Sequence, residues 1–254
     1  MALLAALRSE VLKTKRTSAF YVTLFAAAFG PFMSMLDILL DGVDGDHRAD
    51  IFNELMTKKY MMTSVVAFPI FLILICTLLH QIEFKNNTWK QVLTSPQRKG
   101  TIFLAKFINI QLLILLFLVT NLLLMFVDAV ILHFVDPSLG VLHQPLNGYG
   151  ILLSRATSYV ALSAICTAQF WLGLRFRNFI APVAIGIALW FTGTALVLEA
   201  HSDFAHYFPY SFHAYGTFPK YKPEFNSMHW VSVSYAIVFL VIGFLDFRRR
   251  RMTA

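Results

Sequence analysis

The chain has 254 residues, of which 57% are hydrophobic and only 14% are charged. Soluble domains usually carry about 25% charged residues, so the composition argues against a soluble globular protein and favours one embedded in a membrane. The net charge of +7 comes from basic residues that cluster between long apolar runs. This pattern indicates membrane topology and argues against nucleic-acid binding.

Six stretches nearly free of charged residues approach or exceed the roughly 20 residues needed to cross a bilayer. They lack the polar stripe that a soluble helix shows at helical period. The sequence therefore predicts an all-α integral membrane protein, a single domain over residues 1–254. The predicted transmembrane helices are 18–40, 60–82, 103–132, 152–174, 178–198 and 228–247, with an amphipathic helix at 1–17, a loop at 83–102 and an outer segment at 199–227.

The expected orientation follows from Lys and Arg, because cytoplasmic loops carry an excess of both. If the N-terminus is cytoplasmic, 15 of the 21 basic residues lie on that side. We therefore expect a multi-pass protein of the cytoplasmic membrane with both termini in the cytoplasm. Seven of the eight histidines then fall on the outer side, where they form either a metal or proton site or a set of interfacial hydrogen bonds. Their spacing matches no zinc template, and the sequence assigns no metal site.

The first 17 residues have the pattern of an amphipathic helix that precedes the first span. Leu4, Leu7 and Val11 share one face, while basic residues such as Lys13 lie elsewhere. A helix of this kind lies in the membrane interface and directs its cations toward anionic lipid headgroups. Membrane lipid is therefore an expected partner.

The loop between the second and third spans is polar, yet it carries a short amphipathic pattern of its own. Asn87 is suited to cap a helix that begins at Thr88, because its side-chain oxygen accepts an otherwise orphan backbone N–H. Pro96 forces the preceding residue into extended geometry, so this helix ends after about two turns. Trp89 and Leu93 then lie on a short helix outside the bilayer core.

Polar and small residues within the spans predict helix contacts. Asn109, Gln111 and Asn121 of the third span are expected to hydrogen-bond to neighbouring helices. The fourth span carries small residues near one face, which permit another helix to approach closely, either within the bundle or across a dimer seam. They are Ser154, Ser158, Ala161 and Ala168.

The outer segment before the last span contains nine aromatic residues and three prolines. The prolines prevent one long helix, and aromatic residues at this density suit the membrane–water interface. We expect residues 207–215 to be ordered against the membrane surface or the bundle, as a re-entrant or interfacial element, because solvated loops rarely hold so many aromatic side chains.

No catalytic motif is present in the sequence. It has no Gly-x4-Gly-Lys-Ser/Thr phosphate loop, no His-Glu-x2-His and no Gly-x-Ser-x-Gly. No span carries the paired carboxylates or arginine row of a proton pump or voltage sensor. We therefore expect a protein that is not an enzyme, has no cofactor or catalytic residue of its own, and depends on an external energy source.

Two short motifs resemble those of ABC-2-type permeases. Glu83, Asn87-Thr88-Trp89, Leu93-Thr94-Ser95-Pro96 and Lys106 resemble the loop after the second membrane helix, and Glu10 and Lys13 occupy typical positions of the N-terminal elbow helix. The outer segment is similar to the family's re-entrant element. The resemblance extends over nearly the whole chain, and its loop motif is the most specific part.

This resemblance implies a function and a set of partners. The short loop helix would be the coupling helix that docks on a separate ABC ATPase subunit, which holds ATP and Mg. The permease would pair with a second copy or a close paralogue and would export an amphiphilic or hydrophobic substrate such as a peptide antibiotic, a drug or a lipid. In its size and its simple loops, the chain is most similar to the small permeases of lantibiotic and bacitracin self-protection, or to multidrug and lipid exporters.

Two other functional classes remain open from the sequence. In the first, the chain is a non-transporting membrane anchor or sensor subunit that binds an ABC ATPase. Less favoured is an intramembrane enzyme, which would need acids and histidines clustered on facing spans, whereas the sequence places them at the outer rim. Without the resemblance, the loop between the second and third spans would be an ordinary connector with an interfacial helix.

Overall fold

The structure is a computed structural model that describes residues 2–15, 17–42, 50–85, 97–199, 203–217 and 222–249. Within these ranges every regular element is helical and no strand occurs. Short 3-10 turns at Pro137–Leu139, Val141–His143 and Asp203–Tyr207 join some of the helices. The helices are α1 Ala2–Thr14, α2 Ser18–Asp41, α3 Ile51–Lys85, α4 Lys99–Val135, α5 Gly148–Ala161, α6 Ser163–Arg175, α7 Ile180–Leu198, α8 Phe212–Thr217 and α9 Lys222–Arg249.

Five helices, α2, α3, α4, α7 and α9, are long and apolar enough to cross a membrane. The helices α5 and α6 meet at Leu162 with a bend of 43°, and together they reach the length and hydropathy of a sixth span. The described chain is therefore that of a multi-pass membrane protein with five or six crossings. The predicted fourth span, 152–174, falls on this bent pair.

Helix α3 begins earlier than the predicted second span and is not uniformly α-helical. Residues 51–59, expected to lie in an outer loop, form its first turns, and π-helical turns occupy Leu55–Lys59 and Thr63–Ala67. Ile51 and Phe52 are buried together with the start of the first π turn. Burial of these apolar side chains favours the helix despite the charged residues beside them, such as Lys58, whose side chain is 64% exposed. These charges caused the sequence-based boundary to be placed at residue 60.

The apolar core surrounds α3, which is the most enclosed of the long helices. In the most apolar 18-residue stretch of α3, 65% of the residues are buried, compared with 33% or less in the corresponding stretch of each of the other four candidate spans. Phe117 of α4 stacks against Phe68 and Phe71 of α3, with ring centroids 4.9 and 4.6 Å apart. Phe170 of α6 meets Phe103 of α4 edge-on at 5.1 Å. Aromatic packing thus holds α3, α4 and α6 together.

Residues 203–217 pack on the bundle, as expected for the aromatic outer segment. Tyr210, Phe212 and Tyr215 are at most 3% exposed. A Cβ atom at Gly193 of α7 would lie only 2.3 Å from the Tyr210 carbonyl oxygen, so this close approach requires glycine. Gln169 of α6 donates a hydrogen bond to the Tyr210 hydroxyl at 3.0 Å. The segment is therefore fixed to both α6 and α7.

Both ends of the described chain lie at one end of the bundle, called the basic end below. Helix α1 packs along the beginning of α4, next to the last turn of α3. The Lys99 ammonium at the start of α4 donates to the Arg248 carbonyl oxygen near the end of α9, at 3.0 Å. The basic end thus gathers the N-terminal helix, the two sides of the loop 83–102 and the last turn of the chain's final helix.

Candidate functional site

Four charged side chains meet at the basic end, where α1, α3 and α4 converge. Glu10 and Lys13 lie three residues apart on α1, so they face the same side of that helix. Glu83 lies in the last described turn of α3, and Lys106 lies in the third turn of α4. We call these four residues the charge ring.

Each carboxylate of the charge ring contacts both ammonium groups. The Lys106 ammonium donates to Glu83 Oε1 at 2.5 Å and to Glu10 Oε2 at 3.1 Å. The Lys13 ammonium donates to Glu83 Oε1 at 3.0 Å and to Glu10 Oε1 at 2.8 Å. Positive and negative charges therefore alternate around a closed, electrically neutral circuit that joins three helices.

The charge ring is enclosed on its α3–α4 side and open on its α1 side. The side chains of Glu83 and Lys106 are only 3% and 4% exposed, whereas that of Lys13 is 39% exposed. Buried charges are tolerated only when they are paired and hydrogen-bonded, and removing one partner of such a pair costs about 3–5 kcal/mol. The Glu83–Lys106 pair is thus the part of the ring that depends most on its partners.

Lys13 remains protonated at neutral pH. Burial opposes its charge, but the hydrogen bond to Glu10 and the negative charge of Glu83 outweigh this effect and raise the pKa of Lys13 above its ordinary value of 10.5. A basic group whose pKa is raised on folding stabilises the folded state fully at pH values below its ordinary pKa. This stabilisation is lost as the pH rises through the raised pKa. The contribution of Lys13 to the ring is therefore complete at neutral pH and is lost in alkaline solution.

Further hydrogen bonds hold the helices on which the ring is built. The side-chain amide of Asn109 on α4 donates to the Thr14 hydroxyl at the end of α1, at 2.7 Å. The Gln81 amide near the end of α3 donates to the Phe176 carbonyl oxygen after α6, at 3.3 Å. The last turn of α3, which directly precedes the loop, is thus tied to α1, α4 and the end of α6.

The structure brings together four of the nine predicted site residues. Glu10 and Lys13, predicted for the N-terminal helix, pair with Glu83 and Lys106, predicted for the loop motif, so two separate motifs form one site. The sequence analysis named these four residues in two separate motifs and did not predict that they pair with one another. The other five, predicted for the short loop helix, lie outside the described residues: Asn87, Thr88, Trp89, Leu93 and Pro96.

A known family of membrane proteins matches most of the chain. Residues 6–193 match the sequence profile described as ABC-2 family transporter protein. The chain belongs to the ABC-2 transporter family. Membrane subunits of this family normally work with an ABC ATPase. The matched region includes all four residues of the charge ring. Among curated proteins, none matches the chain significantly.

The burial of a further charged residue in this ABC-2 protein, Arg155, was not expected from the sequence. It lies within the predicted fourth span, 152–174, and is 5% exposed on α5. Its guanidinium lies 4.3 Å from the centre of the Tyr60 ring and donates to the Met56 carbonyl oxygen at 2.7 Å. It donates also to the Ile151 carbonyl oxygen and the Ser154 hydroxyl, each at 3.1 Å. Met56 belongs to the first π turn, so Arg155 fixes that turn to α5.

The polar residues predicted to join helices of this ABC-2 bundle do so. Besides Asn109, the Asn121 amide donates to the Ala27 carbonyl oxygen of α2 at 2.9 Å, and Gln111 accepts from the Tyr159 hydroxyl of α5 at 2.7 Å. These contacts confirm the interhelical role.

The small residues of the fourth span face neighbours within this chain. Ser158 lies 2.8 Å from Ser64 of α3 through their hydroxyl oxygens, and the Ala161 carbonyl oxygen accepts from Ser232 of α9 at 3.0 Å. At these two positions the close packing is therefore inside the bundle.

Within the described ranges, no group of three or more His, Cys, Asp or Glu side chains is arranged to hold a metal ion.

Proposed function

We propose that this chain is the membrane-spanning permease subunit of an ABC transporter, which moves an amphiphilic or hydrophobic substrate outward while a separate subunit hydrolyses ATP. The observation that carries the proposal is the charge ring, because it joins the N-terminal helix to both sides of the loop that resembles the family's coupling element. In this proposal α1 is the elbow helix, and the short helix predicted to begin at Thr88 in the loop 83–102 is the coupling helix. ATP and Mg are held by the partner, and this chain has no catalytic residue.

The charge ring would transmit force from the ATPase into the bundle. When the ATPase subunits close on ATP, they would push on the coupling helix and on the last turn of α3. Because Glu83 is bonded to Lys106 of α4 and Lys13 of α1, the push would tilt α3 together with those helices. A loose joint at this point would let the loop move without the spans, and ATP would be hydrolysed without transport.

The small size of one cavity inside the described part of the bundle favours a paired permease. A cavity of about 90 Å³ lies between α3, α4, the bent pair and α9, lined by residues such as Phe107, Tyr159 and Cys166. Pockets for drug-sized ligands are about 300–1,000 Å³, so this cavity is too small for a peptide antibiotic or a lipid. We infer that the substrate crosses between two copies, or between this chain and a close paralogue.

The protein is proposed to lie in the cytoplasmic membrane, with its basic end in the cytoplasm. The bent pair then acts as the fourth of six spans, and both termini are cytoplasmic. The support is the excess of Lys and Arg at this end and the position of the charge ring, which must face an ATPase that is itself cytoplasmic.

Reconstitution with the partner ATPase tests the proposed function and separates a transporter from an anchor or sensor subunit. In vesicles, we expect ATP-dependent movement of fluorescent lipid or of an amphiphilic peptide antibiotic. A variant ATPase that lacks its phosphate-loop lysine is the control and should abolish the movement. Substrate that stimulates ATP hydrolysis without ever crossing the membrane would contradict the permease assignment and support a sensor subunit.

A further inference from the structure

A groove at the basic end lies between α6 and α9 and is lined by none of the four residues of the charge ring. Its volume is about 520 Å³. Trp171 on α6 and Ile242 and Leu245 on α9 form an apolar part, and Arg175, Asp246 and Arg249 form a charged part. No residue of this groove belongs to the proposed coupling mechanism.

The groove changes from apolar to charged along the direction of both helices. On α6, Trp171 precedes Arg175 by four residues, about one helical turn. On α9, Leu245 precedes Arg249 by the same spacing, and Ile242 lies another turn away. Both helices end at the basic end, so the apolar part faces the membrane interior and the charged part lies at its edge. This is the polarity of a phospholipid, with an acyl chain inside and a headgroup at the surface.

The charges of the groove favour an anion. Arg175 donates to Asp246 at 2.8 Å, but its side chain is 59% exposed and a guanidinium has five N–H donors, so it retains donors for a ligand. Arg249 is exposed and forms no ion pair with any described residue. Two cations and one carboxylate leave a net positive charge, and planar guanidinium groups match phosphate oxygens by paired hydrogen bonds.

We propose that this groove binds an anionic phospholipid. Its phosphate lies between Arg175 and Arg249, and one acyl chain lies against Trp171, Ile242 and Leu245. A free phosphate would leave the apolar wall uncovered. An acyl chain without a charged headgroup would leave Arg249 without an ion pair among the described residues and would leave the remaining donors of Arg175 unused. A lipid that joins α6 to α9 stabilises the seam between the bent pair and the last helix. The site does not depend on the transport function or on the orientation.

Thermal unfolding of the purified full chain in detergent tests this site. Added phosphatidylglycerol is expected to raise the Tm by several degrees, and phosphatidylcholine with the same acyl chains by clearly less. Arg249→Gln, which leaves the Arg175–Asp246 pair intact, is expected to remove most of the difference between the two lipids. Arg177→Gln, a change of an exposed arginine just past the same end of α6, is the matched control and should keep it.

Two further measurements make the test specific to a lipid in the groove. A phosphatidylglycerol headgroup without acyl chains should give no comparable rise in Tm. In a variant that retains Trp171 as its only tryptophan, phosphatidylglycerol with brominated acyl chains should quench the fluorescence, and Arg249→Gln should reduce that quenching. Equal stabilisation by both lipids, an unchanged response of Arg249→Gln, or a full effect of the headgroup alone would overturn the proposal.

Discussion

Glu83→Gln is expected to uncouple ATP hydrolysis from transport while leaving the ATPase bound. The amide cannot neutralise Lys106, which is almost fully buried, so the joint between α3 and α4 loosens. The docking residues predicted in the loop are unchanged. Transport per ATP hydrolysed should fall several-fold. The free energy of unfolding should fall by about 3 kcal/mol, the low end for a broken buried pair, because Glu10 remains 3.1 Å from Lys106.

Removal of both buried charges provides the control for this prediction. Glu83→Gln combined with Lys106→Met keeps the ring neutral, because Glu10 and Lys13 remain paired, and should recover at least half of the lost stability, with a coupling energy of about 0.5–3 kcal/mol in a double-mutant cycle. Lys58→Gln removes an exposed ion pair with Glu54 and should cost less than about 1 kcal/mol. Transport and stability like those of the parent in Glu83→Gln would show that the ring is dispensable.

Arg155→Ala is expected to lower the free energy of unfolding by about 3 kcal/mol, because it removes contacts at the end of the bundle opposite the basic end. Hydrogen bonds to charged groups contribute about 1.5–3 kcal/mol each, and the substitution removes the donor to the Met56 carbonyl oxygen and the cation above Tyr60. The removal of a costly buried charge offsets part of this loss. Unfolding by detergent titration measures the change, and hydrogen exchange should show faster exchange of amides in residues 55–59.

Arg177→Ala is the matched control for Arg155→Ala, because Arg177 is exposed on the connection between α6 and α7. A surface substitution of this kind usually changes stability by no more than about 0.5 kcal/mol. Arg155→Ala could instead unfold at the same detergent concentration as Arg177→Ala, with the amides of residues 55–59 still protected from exchange. The π turn would then be held by other contacts, and Arg155 would have no structural role there.

The sequence predicted the helical class and the polar contacts between helices because both depend on local pattern. Long apolar runs identify membrane helices, and an asparagine such as Asn121 inside a span needs a partner wherever the neighbouring helix lies. The early start of α3 was missed because apolar and charged residues are mixed over residues 51–59. Their burial depends on neighbouring elements that no local window contains.

The charge ring and Arg155 show where such prediction ends. Lys106 contacts a carboxylate 23 residues away and another 96 residues away, and no spacing rule relates such positions. The resemblance pointed to the four residues of the ring, but only the packing of α1 against α3 and α4 makes them one site. Arg155 lies near the end of a predicted span, where an exposed flanking cation and a buried one look the same in sequence.

The most direct measurement of the central claim is purification of this chain, at its natural level, from the membranes of its own source. An ABC ATPase is expected to co-purify in a fixed ratio with the parent. It should be largely lost with Trp89→Ala, which removes the predicted aromatic anchor, and retained with Trp230→Ala, a change of a tryptophan that is 78% exposed on α9. Absence of an ABC ATPase from the parent sample, or equal retention by Trp89→Ala and Trp230→Ala, would contradict the account.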